Sequence, residues 1–183
     1  MKITPIKFCY KKAYLLIGFF CLFSLNLFSQ DQKESDSLKA IFRSNDYDRA
    51  KKLEILEKIA SSETETDEIL IYSNELIESA KEMDSVSYVF SGYLQKGNAY
   101  RLKSDLSQAL NSYFEAAKIA LENNLKYQQA IIKISIADVY SIMGDGSTAV
   151  SYYRNSIELL KLESDSTNSE AISLNLASAQ LNL

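Results

Sequence analysis

The 183-residue sequence contains no histidine, no tryptophan, one proline, five glycines and two cysteines. The lack of histidine removes the commonest general base near neutral pH and a frequent nitrogen ligand for metals. Both cysteines, Cys9 and Cys21, lie ahead of Gln30. From Gln30 onward there is no thiol, hence no disulfide and no cysteine-ligated metal, so a fold there must hold by packing alone. Pro5 is the single proline, and four of the glycines come after Gln30: Gly92, Gly97, Gly144 and Gly146. A proline-free stretch of about 150 residues, rich in Ala, Leu, Glu, Lys and Ser, favours helix throughout and is long enough to bury a core.

Recognisable catalytic motifs are missing as well. Gly144-Asp145-Gly146-Ser147 lacks the lysine and the spacing of a phosphate-binding loop and reads as a turn. The acidic cluster Glu63, Glu65, Asp67 and Glu68 lacks the alternating ligands and glycine of a calcium loop and reads as a solvated helix start. No serine or threonine has an identifiable base partner. The expectation is a chain with no catalytic residues, no cofactor and no metal.

The segment 1–29 differs from the rest. Lys2, Lys7, Lys11 and Lys12 are the only charges before Asp31, and they precede an apolar run from Ala13 to Phe28. A basic start, an apolar run of this length and a small residue after it read as a secretory signal peptide, cut after Ser29. Two alternatives are a lipid-modified Cys21, preceded by the unfavourable Gly18-Phe19-Phe20, and a retained signal anchor, for which the run is short of the roughly 20 residues that span a bilayer. With the four leader lysines gone, 16 basic residues face 24 acidic ones, a net charge of −8. That balance excludes nucleic acid as a natural partner and leaves membrane contact only to the N-terminal segment or to a part beyond Leu183. Export places the chain in the periplasm or on the outer side of an inner membrane.

The strongest positive signal is a self-match in which position i recurs at i+40. Gly97, Tyr100, Ala109, Tyr113 and Ala116 recur as Ala137, Tyr140, Ala149, Tyr153 and Ser156, and the pattern starts again at Ala177. Fixed-period self-similarity of this length marks a stacked helical array. The expected organisation is a signal peptide over 1–29, a loose polar lead-in with one helical turn over 30–46 and an atypical helical hairpin over 47–84. Full repeats follow over 85–124 and 125–164, then the first helix of a further repeat over 165–183. Lys103-Ser104 and Gly144-Asp145-Gly146 mark the turns inside the two full repeats, Asp105 an N-cap and Asn123-Asn124 a helix end. A polar loop is expected from Ser164 to Ser169 and a last helix from Glu170 to Leu183.

These residues resemble the tetratricopeptide repeat, a helix-turn-helix unit with a small residue and an aromatic on its first helix and an alanine-aromatic-alanine pattern on its second. Tyr93 stands where that family often has tryptophan, whereas Lys133 departs from it. The resemblance implies an all-α fold of antiparallel helix hairpins stacked in a right-handed solenoid, with the matched residues serving packing. It also implies a protein or peptide ligand on the concave face, lined by Leu94, Asn98 and Arg101, then Ile134, Asp138 and Ser141, then Leu174 and Ser178. In the family's carboxylate-clamping variant Asn98 matches one clamp position, but Leu94 stands where a lysine is needed. An exported leader before such repeats is similar to the N-terminal arms of bacterial membrane signalling proteins whose output domain is a nucleotide cyclase or a histidine kinase. A complete secreted scaffold is the alternative.

Overall fold

The computed structural model describes residues 32–45, 47–166 and 181–182. The expected signal peptide and its cleavage site fall outside these residues, as do Leu174, Ala177 and Ser178. Among the described residues seven helices follow one another: α1 (residues 32–44), α2 (Arg49–Ser62), α3 (Thr66–Glu82), α4 (Val86–Leu102), α5 (Leu106–Glu122), α6 (Lys126–Ile142) and α7 (Gly146–Ser166). No strand occurs among them, and consecutive helices from α2 onward pack as antiparallel neighbours. No described helix is long and apolar enough to cross a membrane.

From α3 onward the helices start at Thr66, Val86, Leu106, Lys126 and Gly146, a constant step that is half of the sequence repeat. The turns explain the regularity. Asp84, Ser104, Asn124 and Gly144 all have positive φ, between 51° and 82°. After each of them the next N–H reaches back to the carbonyl five residues earlier: Ser85 to Ala80, Asp105 to Tyr100, Leu125 to Ala120 and Asp145 to Tyr140, at 2.8–2.9 Å. This is the Schellman closure, in which a left-handed residue satisfies the last carbonyls of a helix. Four identical closures redirect the chain in the same way, so helix length and turn geometry repeat together. The Asp105 and Asp145 carboxylates then cap the following helices, accepting from the N–H of Gln108 at 3.2 Å and of Thr148 at 3.1 Å.

The α2–α3 turn breaks this rule. Glu63 is extended there (φ −71°, ψ 142°), and its own carboxylate accepts the N–H groups of Thr64 and Glu65 at 2.8 and 3.0 Å. The same side chain, fully buried, receives the Ser35 hydroxyl at 2.8 Å and the Lys39 ammonium at 2.6 Å from α1. Glu63 is therefore a buried anchor and not part of a solvated helix start. The lead-in expected to be loose is a full helix, held by this polar contact and by Leu38 and Phe42 against the first core. Phe42 stacks on Tyr47 and meets Tyr72 edge-on, with centroids 5.8 and 6.0 Å apart. At the other end, α7 runs through Ser166, past the expected loop start at Ser164.

The cores overlap along the stack. Leu56, Ile59 and Leu76 centre the first one under α2–α4, Tyr113, Ile132 and Ile136 the second under α4–α6, and Ala137, Tyr153 and Leu160 the third under α6–α7. Neighbouring residues Val89 and Phe90 of α4 enter the first and second cores, which joins the two hairpins into one body. The repeat-matched residues lie where packing requires small or aromatic groups: Ala109, Tyr113, Ala116, Ala137 and Ser156 are fully buried, with Ala149 and Tyr153 nearly so, while Tyr100 and Tyr140 are half-buried. Gly97 sits directly under Tyr113, and a Cβ there would overlap the ring. The close approach of α4 and α5 thus depends on that glycine.

Candidate protein-binding face

The expected groove residues fall on α4 and α6, the first helices of the two regular hairpins. Their roles differ. Ile134 is buried in the third core and Leu94 packs half-buried against the second, so both serve mainly the hairpins themselves. Arg101 is half-exposed and Ser141 exposed, one helical turn beyond Asn98 and Asp138 at the same register in each repeat.

Asn98 and Asp138 are both engaged from below. The Tyr113 hydroxyl donates to Asn98 Oδ1 at 2.8 Å, and the Tyr153 hydroxyl donates to Asp138 Oδ1. Each bond ties the second helix of a hairpin to its first, and the pair recurs at the repeat offset. Asn98 also donates through Nδ2 to Gln95 Oε1 at 3.1 Å. Burial pushes the Tyr113 phenol up, Arg101 pulls it back, and the Asp138 charge adds to the rise. Burial also pushes the Tyr153 phenol up, and its hydrogen bond to the Asp138 carboxylate pushes it further, well above the ordinary tyrosine range. Both phenols therefore stay protonated donors at neutral pH, and Asn98, Arg101, Tyr113, Asp138 and Tyr153 form one polar line across four helices.

The line stops at the first hairpin. The position equivalent to Tyr113 and Tyr153 is Ser73, whose hydroxyl is buried without a hydrogen-bond partner among the described residues, and the position equivalent to Asn98 is the exposed Lys58. The two tyrosines were legible in the sequence as packing residues but not as partners of Asn98 and Asp138. The signal was present: both pairs are separated by 15 residues and both recur in the repeat.

Chemically the line offers hydrogen-bond donors and acceptors of both charge signs on a rigid helical frame. No group of histidine, cysteine, aspartate or glutamate side chains able to hold a metal occurs among the described residues. No protein-family model matches the sequence, and no curated protein is significantly similar to it.

Proposed function

We propose that this chain is an exported interaction module of the tetratricopeptide type that holds a protein or peptide partner along the Arg101–Ser141 face. We further propose that it is the N-terminal sensory arm of a larger membrane signalling protein. The observation that carries the binding reading is the repeated bond from the second helix of each hairpin to Asn98 and to Asp138. It fixes two equivalent polar positions at one register, with the half-exposed Arg101 and the exposed Ser141 one turn beyond them to meet a ligand. A regular array that presents equivalent side chains at a constant step suits an extended peptide, whose own groups repeat. The basic, then apolar leader supports export. The repeat offset, with small residues under tyrosines, supports the family reading.

The test changes the two side chains one turn beyond Asn98 and Asp138 and keeps the Tyr113–Asn98 and Tyr153–Asp138 bonds. Arg101→Glu with Ser141→Arg is expected to keep the helical circular-dichroism signal and the melting midpoint. It is expected to weaken capture of the native partner about tenfold or more, the effect of losing a central charged contact. Unchanged affinity in a quantitative pull-down rejects this face. Mass spectrometry of the protein from its host tests export separately. A new N-terminus at Gln30 is expected, and cytoplasmic protein retaining Met1 rejects the reading.

A further inference from the structure

A second surface shares no residue with the Arg101–Ser141 face. It is a cleft of about 210 Å³, walled by Phe114, Lys118 and Leu121 of α5 and floored by Ile132, Lys133 and Ile136 of α6, with Tyr152 of α7 closing one side. Its existence follows from one register position. One repeat earlier, the counterpart of Ile132 is Gly92. A Cβ on Gly92 would lie 2.6 Å from Ile77 Cγ1 and 3.2 Å from the Ser73 carbonyl oxygen, so α3 and α4 meet almost backbone to backbone. Ile132 cannot allow that approach. The α5–α6 pair is accordingly packed less extensively than α3–α4, and the space between remains open.

The cleft is apolar inside and cationic at its rim. Phe114 is 42% exposed and Leu121 68%, large values for two apolar side chains lining one cleft. Neither Lys118 nor Lys133 forms an ion pair with a described residue, and no carboxylate among the described residues lines the cleft. Lys133 instead lies over the Tyr152 ring, 5.7 Å from its centroid. In a chain with an acidic excess, two such lysines flanking exposed apolar groups call for an occupant that is apolar in the middle and anionic at its sides. The volume falls below the roughly 300–1,000 Å³ of pockets that enclose a small molecule, and suits side chains presented by a segment. From Phe114 to Leu121 the wall runs two helical turns, about 10 Å, room for two apolar side chains one turn, about 5 Å, apart on a helix.

We infer that this cleft docks an acidic amphipathic helical segment of a partner protein, with two apolar side chains over Ile132 and Ile136 and carboxylates against Lys118 and Lys133. Because the cleft is separate from the Arg101–Ser141 face, its test stands or falls independently of the function proposed above.

The experiment is a methyl-resolved NMR titration of the full chain with three probes: a short helical peptide with leucines on one face flanked by glutamates, the same peptide with lysines for glutamates, and dodecanoate. The glutamate peptide is expected to shift the Ile132 and Ile136 methyls saturably, and Lys118→Glu and Lys133→Glu each to weaken it about tenfold, with binding falling as salt rises. Lys118 is exposed and makes no ion pair with a described residue, so its variant carries the test if Lys133→Glu disturbs the contact with Tyr152. Equal binding of the lysine peptide, unchanged affinity in Lys118→Glu, or no shift at the two isoleucines overturns the inference. Dodecanoate entering the cleft while the glutamate peptide does not overturns it in favour of a small anionic amphiphile.

Discussion

Replacing Glu63 by glutamine removes the charge that fastens α1 to the rest of the stack. The native carboxylate is fully buried, and burial alone would raise its pKa. The N–H of Glu65, the Lys39 ammonium, the Ser35 hydroxyl and the N–H of Thr64 outweigh that effect and hold it at about 2, against an ordinary value near 4.5. A carboxyl whose pKa is depressed by folding stabilises the folded state above its unfolded pKa and loses that contribution as pH falls toward the folded value. The difference corresponds to about 3 kcal/mol. The wild type should therefore be more stable than Glu63→Gln by about 3 kcal/mol at neutral pH, with the two converging between about pH 5 and pH 2. Urea unfolding followed by circular dichroism across that range measures the gap, and amide exchange over residues 32–44 reports the loosening of α1 directly. Wild type and variant losing stability in parallel, with a constant gap down to about pH 2, would refute the reasoning.

Three smaller perturbations probe the repeat itself. Gly97→Ala should lower stability by about 1–2 kcal/mol, because overlap with the buried Tyr113 ring outweighs the roughly 1 kcal/mol gained in helix propensity; thermal unfolding reads the sign. Ser104→Gly should raise stability by about 0.5–1 kcal/mol, because Ser104 holds φ at 60°; an unchanged or lower unfolding midpoint contradicts the turn argument. Ser73→Ala should stabilise by about 1 kcal/mol, since it removes a buried hydroxyl that has no partner among the described residues; urea unfolding showing a loss would mean that this hydroxyl is satisfied.

The sequence repeat was legible because it is written in side chains that packing constrains: Gly97 under the Tyr113 ring, and Ala109, Ala137 and Ala149 buried between helices. The breaks near 104, 124 and 144 were legible in turn residues too, but the shared closure that makes the step constant was not, because it is written in the backbone. Asp84, Ser104, Asn124 and Gly144 perform one conformational task with four different residue types, so the turns share no residue identity. Helix α1 escaped for a related reason. Its inward face carries Ser35 and Lys39 beside Leu38 and Phe42, and polar residues on a buried face erase the apolar periodicity. Their partner Glu63 lies 24 residues beyond Lys39, and nothing local announces it. The α5–α6 cleft was hidden because it depends on what occupies the position of Gly92 one repeat later, a comparison that matters only once the helices are seen to touch.

The claim that the first helices of the hairpins present the binding face is tested most directly by photo-crosslinking in the host cell. A photoreactive phenylalanine analogue replaces Arg101 or Ser141, with exposed Arg43 on α1 as the control position. The account predicts one and the same protein adduct from positions 101 and 141 and none from position 43. No adduct from the first two positions, or the same adduct from all three, would contradict it.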